Sequence, residues 1–235
     1  MCGIIAVVRR RSARTAPAPA ALLALLDGSS EALRAAPADG LAEVLSGLAD
    51  RVEEVDRLLR GTPGIASLLA DRTLGPAIDG ACSGLGSVLA EREGALDDDP
   101  AAGAAVEAVN AAVIRLKDAL WAVQRDRLRT ARAVADLAGP APTPSAIDAF
   151  ASVQAALSAI DRLEVRGRDS AGLMLLVHGH GLDLADQAVA ALLADRADDP
   201  LFTAGAVRVT PEGHLSFVYR SEEHTSELQS LRHLV

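Results

Sequence analysis

The sequence reads Leu163-Glu164-Val165-Arg166-Gly167-Arg168-Asp169-Ser170-Ala171-Gly172 where a long helical pattern gives way to a short apolar run. The run that follows, residues 173–177, has the length and composition of a strand. The stretch before it repeats apolar side chains at helical spacing, at Ile147, Phe150, Val153, Leu157, Ile160 and Leu163. The quoted segment therefore predicts a connection between a helix that starts near Ser145 and a strand.

The start of the chain carries a second informative segment, Met1-Cys2-Gly3-Ile4-Ile5-Ala6-Val7-Val8. We expect removal of Met1, which leaves Cys2 with a thiol and a free α-amine on one carbon. Because the pKa of an α-amine is about 7.7–8.0, much of it is neutral near pH 7 and able to act as a base. One residue then supplies both the nucleophile and its base. The alternative interpretation is a chance cysteine at the start of a buried edge strand. Under either interpretation, residues 3–8 are predicted to form a buried strand.

Together, the two segments resemble one family of enzymes. MCGIIAVV resembles the start of class II glutamine amidotransferases, which are N-terminal-nucleophile hydrolases. LEVRGRDSAG resembles the LEYRGYDSAG stretch of one branch, glutamine–fructose-6-phosphate aminotransferase (isomerizing). The resemblance covers the first strand and the first helix–strand unit of the family's domain. It implies release of ammonia from glutamine and its use to make glucosamine 6-phosphate from fructose 6-phosphate.

The resemblance also implies roles for individual residues. Cys2 would be the nucleophile and its α-amine the base, while Arg166 and Gly167 would line the catalytic site beside it. Since arginine stays charged at pH 7, Arg166 would not act as a base. Its role would be to orient the substrate and to stabilise negative charge. On the substrate-binding side, Gly3 would let backbone approach closely and Asp169 would fix the turn. The family needs no cofactor, and we expect a homodimer of the full-length protein.

Several family features find no match in this chain. Arg168 stands where the family often has tyrosine, and no segment resembles TRWATHG, whose arginine holds the glutamine carboxylate. No match to the Asn-Gly oxyanion hole and no sugar-isomerase domain are found either. Losing one oxyanion donor costs about 10²–10³ in rate. We therefore expect this polypeptide by itself to be inactive.

The region between the two segments is almost entirely helical in pattern. One helix face collects Leu41, Val44, Leu45, Leu48, Val52, Val55 and Leu58, and Gly61–Gly64 ends that helix. A heptad seam follows at Val106, Val109, Val113, Leu116, Leu120 and Val123, after a break at residues 97–100. The seam then shifts by about one residue, to Leu128, Ala131, Val134 and Leu137, and residues 139–144 end it.

These patterns predict an α/β (α+β) fold that is mostly helical by residue count. We expect residues 1–219 to form a partial class II amidotransferase domain, an incomplete sandwich with a helical insertion at about 20–145. The insertion has the pattern of a packed bundle. After the motif, the sequence predicts a turn at residues 178–181, a helix at 184–196 and a hairpin around Pro211-Glu212-Gly213.

The C-terminal residues predict an artefact. Residues 220–230 read RSEEHTSELQS, which matches the translation of a widely used DNA-sequencing library adapter. We therefore treat 220–235 as an artefactual tail, expected to be disordered or loosely helical, and expect the natural sequence to diverge near Tyr219.

Composition limits the other classes of function. The net charge of −9 argues against nucleic acid or an anionic membrane as a partner. Cys82 lies in a helical pattern and is expected to be a small core residue, and no cysteine–histidine spacing indicates zinc. His178 and His180 flank a glycine turn without a third ligand nearby, so we predict no metal site. Without a signal peptide or a long apolar segment, the protein is expected to be cytoplasmic.

Two alternatives to this function stay open. The first is a glutamine amidotransferase with a different acceptor, because the glutamine half is shared across the superfamily and the missing C-terminal half selects the acceptor. The second is a non-enzymatic helical interaction protein whose catalytic start has decayed.

Overall fold

The computed structural model describes residues 4–8, 12–97, 103–163, 171–197 and 206–221. It is mostly helical, with one small antiparallel sheet, which confirms the predicted mixture of helices and strands. The chain divides into two compact units, Arg10–Ala151 and Met1–Arg9 with Ser152–Val235. None of the described helices combines the length and apolar character that crossing a membrane requires.

Arg10–Ala151 is the helical unit. Its helices are α1 (Pro19–Leu26), α2 (Ser29–Ala35), α3 (Leu41–Leu59), α4 (Gly61–Ala70), α5 (Leu74–Asp97), α6 (Gly103–Trp121), α7 (Arg129–Ala138) and the first part of α8 (Pro144–Leu163). A short 3₁₀ turn (Ala38–Gly40) precedes α3, and a π-helical segment (Ala122–Leu128) joins α6 to α7. The predicted breaks at residues 97–100 and 139–144 coincide with the ends of α5 and α7.

The core of this unit forms where α3 packs along α6. The buried side of α3 consists of Leu41, Leu45, Leu48, Val52, Val55 and Leu59, and that of α6 of Val109, Val113, Leu116 and Leu120. Both sets recur at three- and four-residue steps, so each helix buries one stripe, as predicted. Val44 and Leu58, predicted on the same face of α3, are half-buried at its margin.

The π-helical segment explains the predicted shift in the seam. Val123 and Leu128 are both buried although five residues separate them. A π turn bonds residue i to i+5 and therefore absorbs one extra residue without turning the apolar stripe out of the core. The seam then continues through Ala131, Val134 and Leu137, which are buried on α7.

The segment Gly61–Gly64 both ends α3 and begins α4. Arg60 is extended and Gly61 has φ of 71°, a left-handed conformation that glycine adopts without steric cost. Pro63 then lies in the first turn of α4, where its missing N–H has no helical acceptor to lose. Arg14 caps the end of α3, because its guanidinium donates to the carbonyls of Arg57 (3.1 Å) and Arg60.

The second unit contains a three-stranded antiparallel sheet. Its strands, β1 (Ala171–Val177), β2 (Val207–Val209) and β3 (Leu215–Ser221), lie in the order β1-β3-β2. Helix α9 (Gln187–Ala197) precedes β2. The predicted strand, the predicted helix and the predicted hairpin are therefore all confirmed. One face of the sheet packs on the second part of α8, through Leu173 and Tyr219 against Val153, Ala156, Leu157 and Ile160.

Two expectations for the chain ends are wrong in the described residues. Residues 4–8 form no strand, and Ile4 and Val8 are 96% and 94% exposed. A strand needs a neighbour for its backbone groups, and the three described strands pair only with one another. At the other end, Arg220 and Ser221 extend β3 opposite Gly172 and Ala171. Backbone pairing does not depend on the side chain, so the ladder continues past Tyr219; residues 222–235 lie outside the described part.

Candidate functional site

The predicted active-site residues Cys2, Gly3, Arg166, Gly167 and Asp169 all lie outside the described residues. The elements that border the motif are described: α8 ends at Leu163 and β1 begins at Ala171. The predicted order of helix, charged segment and strand is therefore confirmed, whereas the roles of the five residues stay predictions.

Strand β1 is apolar on both of its faces. Leu173 and Leu175 lie on the face that packs against α8, and in the antiparallel register they stand opposite Tyr219 and Phe217. Met174 and Leu176 lie on the other face and are 64% and 54% exposed. A run without polar alternation is typical of a strand with both faces covered. The exposed face is therefore suited to packing against a further layer.

The turn after β1 is held by histidine contacts. The rings of His178 and His214 meet edge to face, with 5.9 Å between their centres. His180 Nδ1 accepts from the Leu182 N–H (3.1 Å), so its Nε2 carries the proton and donates to the carbonyl of Gly213 (3.0 Å). Within the part of the chain that the structure describes, no three metal-binding side chains come together. The contacts of His180 tie the turn to the β2–β3 hairpin.

Cys82 has the buried position that the sequence predicts. Its side chain lies in the core of the helical unit and is 1% exposed. Burial, together with the negative charge of Asp79, raises the pKa of the thiol from 9.0 to about 12. At neutral pH the group is therefore a protonated, inert thiol, unlike the activated nucleophile expected at Cys2.

Thiol labelling provides a first prediction. At pH 8 we expect iodoacetamide to leave Cys82 unmodified in the folded chain and to label it after denaturation. Because the pKa of the thiol is higher in the folded chain than in the unfolded chain, Cys82 makes its full contribution to the free energy of unfolding below pH 9.0. That contribution is lost as pH rises toward about 12. Peptide mass mapping of a Cys2→Ala chain measures Cys82 alone, and labelling without denaturant would contradict its burial.

A buried carboxylate links the end of α3 to the π-helical segment. The side chain of Asp56 is 5% exposed. Its Oδ2 accepts from Nε (2.8 Å) and Nη2 (2.5 Å) of Arg60, and its Oδ1 accepts from Nε of Arg127 (2.7 Å) in the π-helical segment. A signal for this site exists in the sequence, because Asp56 interrupts the apolar stripe of α3 between Val55 and Leu59.

A second polar contact fixes the π-helical segment to α5. Gln124 donates to Oδ1 of Asp79 (2.9 Å) and to Oγ of Ser83 (3.0 Å), and Arg132 of α7 pairs with Asp79 at 3.2 Å. Together with Asp56, these contacts tie the π-helical segment, a rare helix type, to α3 and α5. Their role is to position the helices.

An open groove of about 620 Å³ lies between α3 and α6. Its arginines are already paired: Arg57 with Glu54, Arg60 with Asp56, and Arg115 with Asp50 and Glu53. These pairs leave the groove without a free guanidinium to bind an anion. Its apolar lining comes from Ala111, Ile114, Ala119 and Ala122 of α6. The groove is suited to contact with another protein surface, and its lining residues match no catalytic motif.

Comparison of the chain with protein-family models, with curated proteins and with solved structures gave no match. The two sequence segments and the elements that border them are therefore what indicates a function.

Proposed function

We propose that this chain is the front part of a glutamine-dependent aminotransferase of the glutamine–fructose-6-phosphate type. The observation that carries the proposal is the segment LEVRGRDSAG, which bridges the end of α8 and the start of β1 in a chain that begins with Met1-Cys2-Gly3. In this proposal the N-terminal domain hydrolyses glutamine, and a domain beyond the present sequence uses the ammonia.

The proposed chemistry begins at Cys2. Its α-amine takes the thiol proton, and the thiolate attacks the side-chain amide carbon of glutamine to form a tetrahedral oxyanion. Ammonia leaves with a proton returned from the α-amine, and water then hydrolyses the thioester to give glutamate and free thiol. Arg166 orients the substrate and supports its charge, while Gly3 and Gly167 keep the backbone close to the reacting atoms.

Two features support the proposal of an incomplete sandwich. Met174 and Leu176 leave one face of the sheet apolar and exposed, which suits a second sheet supplied by further sequence. One compact unit also combines Met1–Arg9 with Ser152–Val235 and has the helical unit Arg10–Ala151 inserted in its sequence. That division is expected of a domain interrupted by a large helical insertion.

The test uses the complete gene product. Its coding sequence is first determined from clean genomic template past the codon for Tyr219. We expect the reading to continue through a TRWATHG-like segment and an Asn-Gly pair into a phosphosugar-binding domain. The purified protein should lack Met1. After incubation with a thiol-reactive glutamine analogue it should carry one covalent label at Cys2, as measured by intact mass and peptide mapping.

Two variants make the labelling specific. Cys2→Ala should abolish it, and Cys82→Ala should leave it unchanged because Cys82 is buried and protonated. Retention of Met1 with no labelling would overturn the assignment of Cys2. A clean reading that still encodes RSEEHTSELQS and then stops would instead favour the helical interaction protein.

A further inference from the structure

An exposed stripe of side chains runs along α6 on the side opposite its buried seam. We call it the α6 stripe, and its members are Glu107, Ala111, Ile114, Asp118, Trp121 and Arg125, all of them exposed. Their spacing alternates between four and three residues, as in a heptad seam. Ile114 and Trp121, the one tryptophan of the chain, are 60% and 57% exposed. Helix α6 therefore has two seams, of which the unit itself buries one.

The charges of the stripe are ordered along it. Glu107 lies near the beginning of α6 and Arg125 lies in the π-helical segment, roughly 27 Å away at 1.5 Å per residue. A second copy of the stripe laid antiparallel brings Glu107 of each copy to Arg125 of the other. A parallel arrangement would oppose like charges at both ends. Charge complementarity therefore selects the antiparallel, two-fold arrangement.

The sizes of the side chains agree with the same register. It places Trp121 of one copy over Ala111 of the other, so the largest side chain meets the smallest. Ala111 lines the groove of about 620 Å³, which leaves room for the indole ring beside the wall formed by Arg115. An indole face near a guanidinium gains cation–π attraction. The same register places Ile114 of each copy opposite Asp118 of the other, so an exposed apolar side chain meets an exposed carboxylate at the centre of the pairing.

We propose that the α6 stripe is a self-association surface that pairs antiparallel with the same stripe of a second copy of this chain. The acidic end, the bulky ring and the small residue that receives it belong to α6, and the basic end belongs to the π-helical segment that continues it. A second copy therefore supplies the opposite charge for both ends and the small residue that receives the ring. This association does not require the proposed enzymatic function.

Sedimentation of the full 235-residue chain over a range of concentrations tests the proposal. We expect a monomer–dimer equilibrium and a blue shift of Trp121 fluorescence as the dimer forms. Trp121→Ala should raise the dissociation constant about 30-fold, as removal of a central aromatic anchor does. Circular dichroism checks that this exposed substitution leaves the helices intact.

A charge exchange makes the test specific for the antiparallel register. Glu107→Arg and Arg125→Glu should each weaken the dimer, and the double variant should restore it. Glu31→Arg, on the exposed surface of α2, should have no effect. A monomer at every concentration would overturn the proposal. So would a dimer that ignores these substitutions, or one lost in Met174→Lys on the exposed face of the sheet.

Discussion

Replacing Gly64 with alanine is expected to lower the free energy of unfolding of the chain by about 3 kcal/mol. Gly64 is buried in the first turns of α4, directly against the end of α3. A Cβ at this position would lie far inside contact distance of the Leu59 backbone, at its carbonyl oxygen, its carbonyl carbon and its Cα. These are main-chain atoms, so no rotamer change relieves the overlap, and one of the two helices must move.

The matched control is Gly47→Ala, in the middle of α3. Gly47 is exposed, and a Cβ added there has nothing within 4 Å. Alanine should raise stability by about 1 kcal/mol, because it loses less backbone entropy than glycine in a helix. Denaturant titration followed by far-UV circular dichroism measures both variants. If Gly64→Ala cost no more than a few tenths of a kcal/mol, the close approach of α4 to α3 would be wrong.

The helical unit was predictable because its stability comes from repeating local patterns. The stripes of α3 and α6 have a period that only a helix satisfies, and each extends over several turns. Even the π-helical segment was signalled, since Leu128 follows Val123 by five residues where the heptad requires three or four. The hairpin was predictable for a similar local reason, because Pro211-Glu212-Gly213 separates two β-prone runs.

Contacts between residues far apart in sequence were not predictable. Asp56 meets Arg127 across 71 positions, and Arg14 meets the end of α3 across more than 40. Nothing local to arginine selects one carbonyl or carboxylate among many. The predicted strand is not found at residues 4–8 for the same reason, because an apolar run becomes a strand only when a neighbour pairs with it. The roles of Arg166 and Gly167 depend on the resemblance alone, whereas that of Cys2 also depends on its position directly behind Met1.

Removing the buried carboxylate of Asp56 should be about as damaging as crowding Gly64. Asp56→Ala is expected to lower the free energy of unfolding by about 3 kcal/mol. The loss strands the guanidinium of Arg127, which is only 25% exposed and belongs to the π-helical segment. Arg60, 61% exposed, recovers hydration and contributes less to the loss. Helicity near the junction of α6 and α7 should be lost first, as measured by hydrogen exchange of residues 122–128.

Asp50→Ala is the control, since its carboxylate is 66% exposed and pairs with an Arg115 that keeps Glu53 as a second partner. It should cost less than about 1 kcal/mol. The double variant Asp56→Leu with Arg127→Met should recover most of the stability lost in Asp56→Ala, because it removes both charges and refills the space. Equal losses in Asp56→Ala and Asp50→Ala would mean that Asp56 is solvated in solution. A double variant no better than Asp56→Ala would place the damage in Arg60, at the end of α3, and not in the link to the π-helical segment.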